Sequence, residues 1–253
     1  MNEQVLVERR GAVLALTLAR PERRNAITVA MYAALADAIE GTAGDPSVRL
    51  LTIEGQGEDF TGGNDLADFM QEMPAAATQD IPVWRMLRAL AMNEVPLIAA
   101  VHGNAVGIGT TLLFHCDFVI AEAGCRFVMP FVDLGLVPEA ASSLIMPRLA
   151  GRRAAARHLL LGEPFGAQEA LQMGLASHVV AKGELGAALD RLVSVLLAKP
   201  AEALRLTQAL LRRADRDEVI ERMELENGHF SERLTSAEVR DAITAFFAAR
   251  TKR

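Results

Sequence analysis

The chain has 253 residues, a formal net charge of -6, 51% hydrophobic residues and 23% charged residues. That balance allows a packed core, excludes wholesale disorder, and leaves no broad basic face for nucleic acid. No apolar run of about 18 residues occurs, the start Met1-Asn2-Glu3-Gln4 is polar and acidic, and two cysteines with five scattered histidines make neither a disulfide framework nor zinc spacing. A soluble, cytoplasmic protein without a metal, a membrane span or a nucleic-acid partner is therefore expected.

Val5 to Val7 and Val13 to Leu18 read as two strands around the Arg10-Gly11 turn. Pro21 and the polar run to Asn25 close the second strand. Ile27, Met31, Leu35 and Ile39 recur at helical spacing, which predicts an amphipathic helix over 27–41. A turn at Asp45-Pro46 leads to a strand from Val48 to Ile53. Phe60 then enters the glycine-containing loop Thr61-Gly62-Gly63-Asn64-Asp65, where Asp65 is placed to cap a short helix over 66–70. A helix over 79–94 and a strand from Leu97 to Val101 follow. His102-Gly103 and Gly107-Ile108-Gly109 lead into a helix ending near His115, and Phe118 to Ala121 forms the next strand. This alternation indicates the α/β class. Beyond residue 139 helices dominate, near 140–149, 152–161, 167–173 and 184–198. Lys199-Pro200 interrupts the chain, with Pro200 suited to a first helical position. The last helix is expected to open on a capping box, Thr235-x-x-Glu238, and to carry Val239, Ile243, Phe246 and Phe247 on one face. The organisation is thus an α/β body over 1–195 and a helical part over 196–253.

Three segments could carry chemistry. Phe60 to Leu66 and Gly103 to Gly109 both set glycine beside backbone N–H groups, the second directly before a helix. Glycine lets a backbone approach a ligand closely, and a helix start offers unpaired N–H groups. Two such groups aimed at one point make an oxyanion hole; otherwise both segments are ordinary strand-to-helix turns. A dinucleotide loop fits poorly, because Leu112 stands where the third glycine belongs. In the third segment, Met129 to Ser143, Glu139 is a lone carboxylate between Pro138 and a run of small residues. Apolar neighbours would raise its pKa and suit it to take and return a proton; alternatively it is a surface acid in the first turn of a helix. Asp133 reads as a loop residue. Ser142 and Ser143 have no histidine placed to activate them. His115, His158, His178 and His229 read as packed or surface residues.

In order and spacing these segments resemble the crotonase (enoyl-CoA hydratase/isomerase) superfamily. The resemblance runs from Arg20-Pro21-Glu22-Arg23-Arg24-Asn25-Ala26-Ile27 through Phe60 to Leu66, Ile98 to Gly109, Cys116-Asp117, Phe127 to Ser143 and Leu161 to Leu175. It implies a spiral of ββα units with a C-terminal helical region that builds homotrimers, often paired into hexamers. It implies an acyl-CoA thioester substrate and no further cofactor, the CoA being part of the substrate. The N–H groups of Asn64 and Ile108 would form the oxyanion hole, with Gly107 as a substrate-binding residue beside them. Arg23, Arg24, Ala26, Gly62, Gly63, Asn64, Asp65 and Leu66 would lie along the CoA, and Phe246 and Arg250 would reach a neighbouring CoA site.

The departures narrow the chemistry. Hydratases of this family carry two catalytic glutamates, at positions where this chain has Thr111 and Phe131. Glu139 instead matches the position used by peroxisomal-type Δ3,Δ2-enoyl-CoA isomerases, and an Asp there serves ring-modifying isomerases and aromatic dehalogenases. The expected activity is a shift of a 3-enoyl-CoA double bond to the trans-2 position. Hydration or another acyl-CoA conversion is the second reading, and a CoA-binding scaffold without turnover is the third. Trp84 and Met86 are expected either to line the acyl pocket or to belong to the core.

Overall fold

The computed structural model describes residues 3–68 and 81–251, apart from the side chains of residues 246, 247 and 249–251. Gly11 and Ala12 close the first hairpin, in which β1 (Val5–Arg10) and β2 (Val13–Leu18) pair antiparallel. The later strands are β3 (Leu50–Gly55), β4 (Leu97–Val101), β5 (Asn104–Val106), β6 (Phe118–Glu122), β7 (Arg126–Val128), β8 (Phe165–Gly166) and β9 (His178–Val180). They form a six-stranded sheet in the order β1-β2-β3-β4-β6-β9 and a three-stranded sheet in the order β5-β7-β8. From β2 to β9 every neighbour in the large sheet is parallel. In the small sheet β5 and β7 are parallel, and two bridges, Ile27↔Asn64 and Thr61↔Ala105, continue that ladder.

The two ladders run in the same order. The segments after β2, β3, β4 and β6 supply Ile27, Thr61 to Asn64, β5 and β7 to the second ladder. Each turn of chain therefore lays one stretch on the large sheet and one on the small, and then departs. This is the spiral of ββα units expected above.

The helices are α1 (Val29–Glu40), α2 (Pro82–Met92), the single turn α3 (Ile108–Thr111), α4 (Ser142–Ala150), α5 (Arg152–Leu160), α6 (Ala167–Gln172), α7 (Leu185–Leu197), α8 (Ala201–Arg213), α9 (Arg216–Leu234) and α10 (Ala237–Thr251). No helix among the described residues is long and apolar enough to cross a membrane.

The large sheet is covered on both faces, so its strands read as continuous apolar runs and not as alternating ones. All five residues of β4 are buried. Leu97, Ala99 and Val101 join the core with Met31, Leu35 and Leu87, whereas Ile98 and Ala100 face Leu189 and Leu196 of α7. In the first core Trp84 stands edge-on to Phe230 of α9, with ring centroids 6.4 Å apart, and Met86 is buried. Both residues are core side chains.

Several boundaries differ from the periodicity, each for a local reason. Ile27 is drawn into the bridge with Asn64, so α1 starts at Val29, with the Thr28 hydroxyl accepting from the Met31 N–H. Val48 stays in the turn, its N–H donating to the Asp45 carbonyl, and β3 begins at Leu50. Ala140 and Ala141 take left-handed backbone angles, which holds α4 back to Ser142. Pro200 is the cap of α8 and lies just before its first residue. The expected capping box does not form. Thr235 is the C-cap of α9 and donates to the Glu232 carbonyl, while the Ser236 hydroxyl accepts from Val239 and Glu238 pairs with Arg233. Residues 79 and 80 of the helix expected over 79–94, and residues 69 and 70 of the one expected over 66–70, lie outside the described residues.

One buried side chain fixes how the first turn of the spiral meets the second. Asn25 is fully buried with φ at +53°. Its Oδ1 accepts from the Arg20 N–H at 2.8 Å, and its Nδ2 donates to the carbonyls of Gln56 and Asp59 at 2.7 and 2.8 Å. The Thr61 hydroxyl then donates to the Asn25 carbonyl. Asn25→Ala leaves these groups unpaired and is expected to cost about 3 kcal/mol, read as a lower denaturant midpoint at unchanged slope. A loss below about 1 kcal/mol would show that the turn is held by other groups.

Candidate active site

The two glycine loops touch. Gly63 has φ at +87°, and a Cβ there would sit 2.8 Å from the Val106 carbonyl oxygen. Nothing but glycine fits this approach. The pairing that brings Gly63 there also decides which N–H is left over. In the Ile27 bridge the Ile27 N–H donates to Gly63 and the Asp65 N–H donates to Ile27. A parallel bridge uses the neighbours of the paired residue, so the N–H of Asn64 itself points away from Ile27. Ile108, the first residue of α3, is the other spare donor, because a helix start has no carbonyl four residues back. The Gly107 before it has φ +54° and ψ -116°, angles that side chains disfavour.

Glu139 lies beside this pair of loops and is 2% exposed. The Thr111 hydroxyl, in the same turn as Ile108, lies 3.5 Å from Glu139 Oε1 and 3.5 Å from the Ile108 carbonyl. Tyr32, from α1, donates its hydroxyl to Asn64 Oδ1. Burial, and next the charge of Glu139, push the Tyr32 phenol well above its ordinary range, so it stays protonated. Thr111 and Tyr32 thus link Glu139, Ile108 and Asn64 into one cluster. Phe131 is buried and apolar, and Asp133 is exposed.

The carboxyl of Glu139 holds its proton unusually tightly. Burial is the main cause and the charge of Glu226 the second; together they push it up to about 8, against the pull of the Thr111 hydroxyl. Glu226, on α9, is itself 5% exposed and accepts from the N–H groups of Ala141 and Ser143 at 2.7 and 2.9 Å. His115 is buried, and its Nε2 lies 2.9 Å from the Ala140 carbonyl. Burial drives His115 down to about 4, so the ring is neutral and donates to that carbonyl.

Of the remaining expected positions, those over 23–26 and 62–66 lie side by side. Gly62 donates to the Arg24 carbonyl at 2.7 Å, which sets Arg23, Arg24 and Ala26 alongside Gly62 to Leu66. Arg23 and Arg24 are exposed, and Arg24 Nε lies 3.9 Å from Asp59. Asp65 pairs with Arg20 at 2.6 Å and caps residues 67 and 68. Burial raises its carboxyl, but Arg20 and the capped N–H groups outweigh this and hold it low. The side chains of Phe246 and Arg250 lie outside the described residues. His158 is buried against Phe165, His178 contacts Ser177, and His229 is exposed. Among the described residues no three His, Cys, Asp or Glu side chains cluster as metal ligands.

Tyr32 and Glu226 were not foreseen. Tyr32 sits in the apolar stripe of α1 and reads as core. Glu226 had a usable signal: it falls with Met223, Phe230 and Leu234 on the buried face of α9, an acid where the period asks for an apolar residue.

Known proteins resemble this chain in sequence and fold. The family model described as enoyl-CoA hydratase/isomerase matches residues 8–252. The chain is 33% identical to the 1,2-epoxyphenylacetyl-CoA isomerase of Escherichia coli K12, over 99% of this chain and 98% of that one. It is 31% identical to enoyl-CoA delta isomerase 2 of Rattus norvegicus, over 99% of this chain and 65% of that one. A crystal structure of an enoyl-CoA hydratase/isomerase from Pseudoalteromonas atlantica T6c superposes with a TM-score of 0.92 at 37% identity, covering 98% of each chain. Other relatives are named as hydratases.

The Glu139 carboxyl has a consequence for stability. It ionises above about 4.5 when unfolded but only above about 8 when folded, so raising the pH through that window weakens the fold. Glu139→Gln is expected to melt above the parent at pH 9, with the gap shrinking towards pH 5. A gap independent of pH would show that the carboxyl ionises normally.

Proposed function

The chain belongs to the enoyl-CoA hydratase/isomerase family of acyl-CoA enzymes, and from that premise we propose that it moves the double bond of a 3-enoyl-CoA to the trans-2 position. Ionised Glu139 takes a proton from C2 of the bound thioester. The negative charge spreads to the thioester oxygen, where the N–H groups of Asn64 and Ile108 receive it. Glu139 then returns the same proton at C4, and the double bond ends conjugated with the carbonyl. No atom is gained or lost, so one carboxyl and two donors suffice. Each such donor is worth about 3–4 kcal/mol to the transition state.

The observation that carries this reading is the solitude of Glu139. Hydration asks for one group to activate water and another to handle the α-proton. The two positions for such acids hold a hydroxyl, Thr111, and a buried ring, Phe131. The nearby buried acid, Glu226, has both oxygens committed to backbone N–H groups. A carboxyl titrating near 8 is also well matched to take a proton and give it back.

The CoA moiety is assigned to Arg23, Arg24, Ala26 and Gly62 to Leu66, completed by Phe246 and Arg250. Assembly as a homotrimer or hexamer is part of the same proposal. It is supported by exposed Leu206, Leu210 and Leu211 on α8 and by Leu160 and Leu161 at the end of α5.

Purified protein offered 3-hexenoyl-CoA and crotonyl-CoA in parallel tests the chemistry. Conversion of the first is expected, with kcat/KM rising with pH and levelling off above about 8. Glu139→Gln should lower it by about 10³-fold. Hydration of crotonyl-CoA at a comparable rate would overturn isomerisation, and binding of both esters without turnover would point to a scaffold.

A further inference from the structure

Glu226 has no part in the chemistry just described, yet it is a carboxylate taken almost wholly out of water. Burying such a group is costly unless it is paired or hydrogen-bonded, so its partners indicate its task. Oε2 accepts from Ala141 at 2.7 Å and Oε1 from Ser143 at 2.9 Å. The first lies in the turn that directly follows Glu139, and the second in the opening turn of α4. That turn is awkward: Ala140 and Ala141 have φ at +59° and +55°, a conformation that side-chain-bearing residues avoid. Helix α4 has no side-chain cap of its own. Glu226 supplies that cap from α9, far along the chain. His115 holds the Ala140 carbonyl, and Arg222, one turn earlier on α9, donates to the Ser143 hydroxyl at 3.2 Å.

We propose that Glu226 is the positioning residue of the catalytic turn, holding the backbone that presents Glu139 and placing a second negative charge beside its carboxyl. The proposal rests on Glu139 being the group that carries the proton. Among the described residues, few groups face Glu139 or the turn that carries it. From α1 comes Tyr32, protonated; from α3 the Thr111 hydroxyl; from the turn after α3 the neutral His115; and from α9 Glu226, with Arg222 against it. Burial is the main reason that Glu139 is reluctant to ionise, and Glu226, whose own carboxyl burial also raises, is the second. The C-terminal helical region thereby takes part in setting the reactivity of the spiral core.

Glu226→Gln keeps the size of the side chain, removes the charge and leaves one acceptor for two N–H groups. The carboxyl carbons of ¹³C-labelled glutamate are titrated by NMR in the parent and in this variant, with the Glu139 signal assigned by its loss in Glu139→Gln. The midpoint of Glu139 is expected to move down by about one pH unit. The acidic limb of kcat moves with it, and kcat falls roughly tenfold with KM changed less than about twofold. A lower melting temperature with an unmoved Glu139 midpoint would reduce Glu226 to a helix cap and overturn the proposal. Should Glu226→Gln not fold, Glu226→Asp decides. It keeps the charge but is too short for both N–H groups, so kcat should fall with the limb unmoved, and an unchanged kcat overturns positioning. The NMR titration needs no substrate. Failure of the parent to turn over 3-enoyl-CoA would count against the proposed reaction and leave the Glu226 measurement to stand separately.

Discussion

The site depends on how a parallel backbone ladder distributes its hydrogen bonds. Pairing Ile27 with Asn64 uses the carbonyl of Gly63 and the N–H of Asp65 and leaves the N–H of Asn64 unspent. The same ladder presses Gly63 against Val106 and so carries that N–H towards the start of α3. Ordinary sheet pairing thus leaves one backbone N–H outside the ladder without the use of a side chain. Asn25 secures the arrangement from beneath, tying the first turn of the spiral to the loop that precedes Thr61.

The second constraint is the cost of a buried carboxyl. Glu139 is surrounded by the core and by Tyr32, Thr111 and the turn it belongs to, and among the described residues it meets no cation there. Its reluctance to ionise follows from burial first and from Glu226 second. Glu226 is better supplied, with two backbone donors and Arg222 nearby. Burial raises both carboxyls; on Glu226 the Ser143 and Ala141 donors and Arg222 pull the other way, and on Glu139 the Thr111 hydroxyl does.

The spiral was largely legible in the sequence because its buried strands are plain apolar runs and its glycine loops recur in a recognisable order. Leu97 to Val101 was placed to the residue. The boundaries that moved did so where a distant partner intervened: Ile27 was claimed by Asn64, and Ala140 and Ala141 were bent by groups on α9 and near His115. Periodicity cannot register such partners. Thr235-x-x-Glu238 matched a capping pattern, but the preceding helix ran on one residue too far, and Ser236 took the role. Glu139 was readable only through its place relative to the two loops. Tyr32 was hidden because an aromatic residue on an apolar helix face looks like core, which it also is. Glu226 was open to view as an acid in an apolar stripe.

The contact between Trp84 and Phe230 has an experimental use. The chain contains one tryptophan, and it is packed edge-on against a ring of α9, one turn beyond Glu226. Any loosening of that helix wets a single indole. The native fluorescence of the protein therefore reports on the docking of its C-terminal region without a label, and an emission shift that precedes global unfolding would reveal α9 leaving the core as a unit of its own.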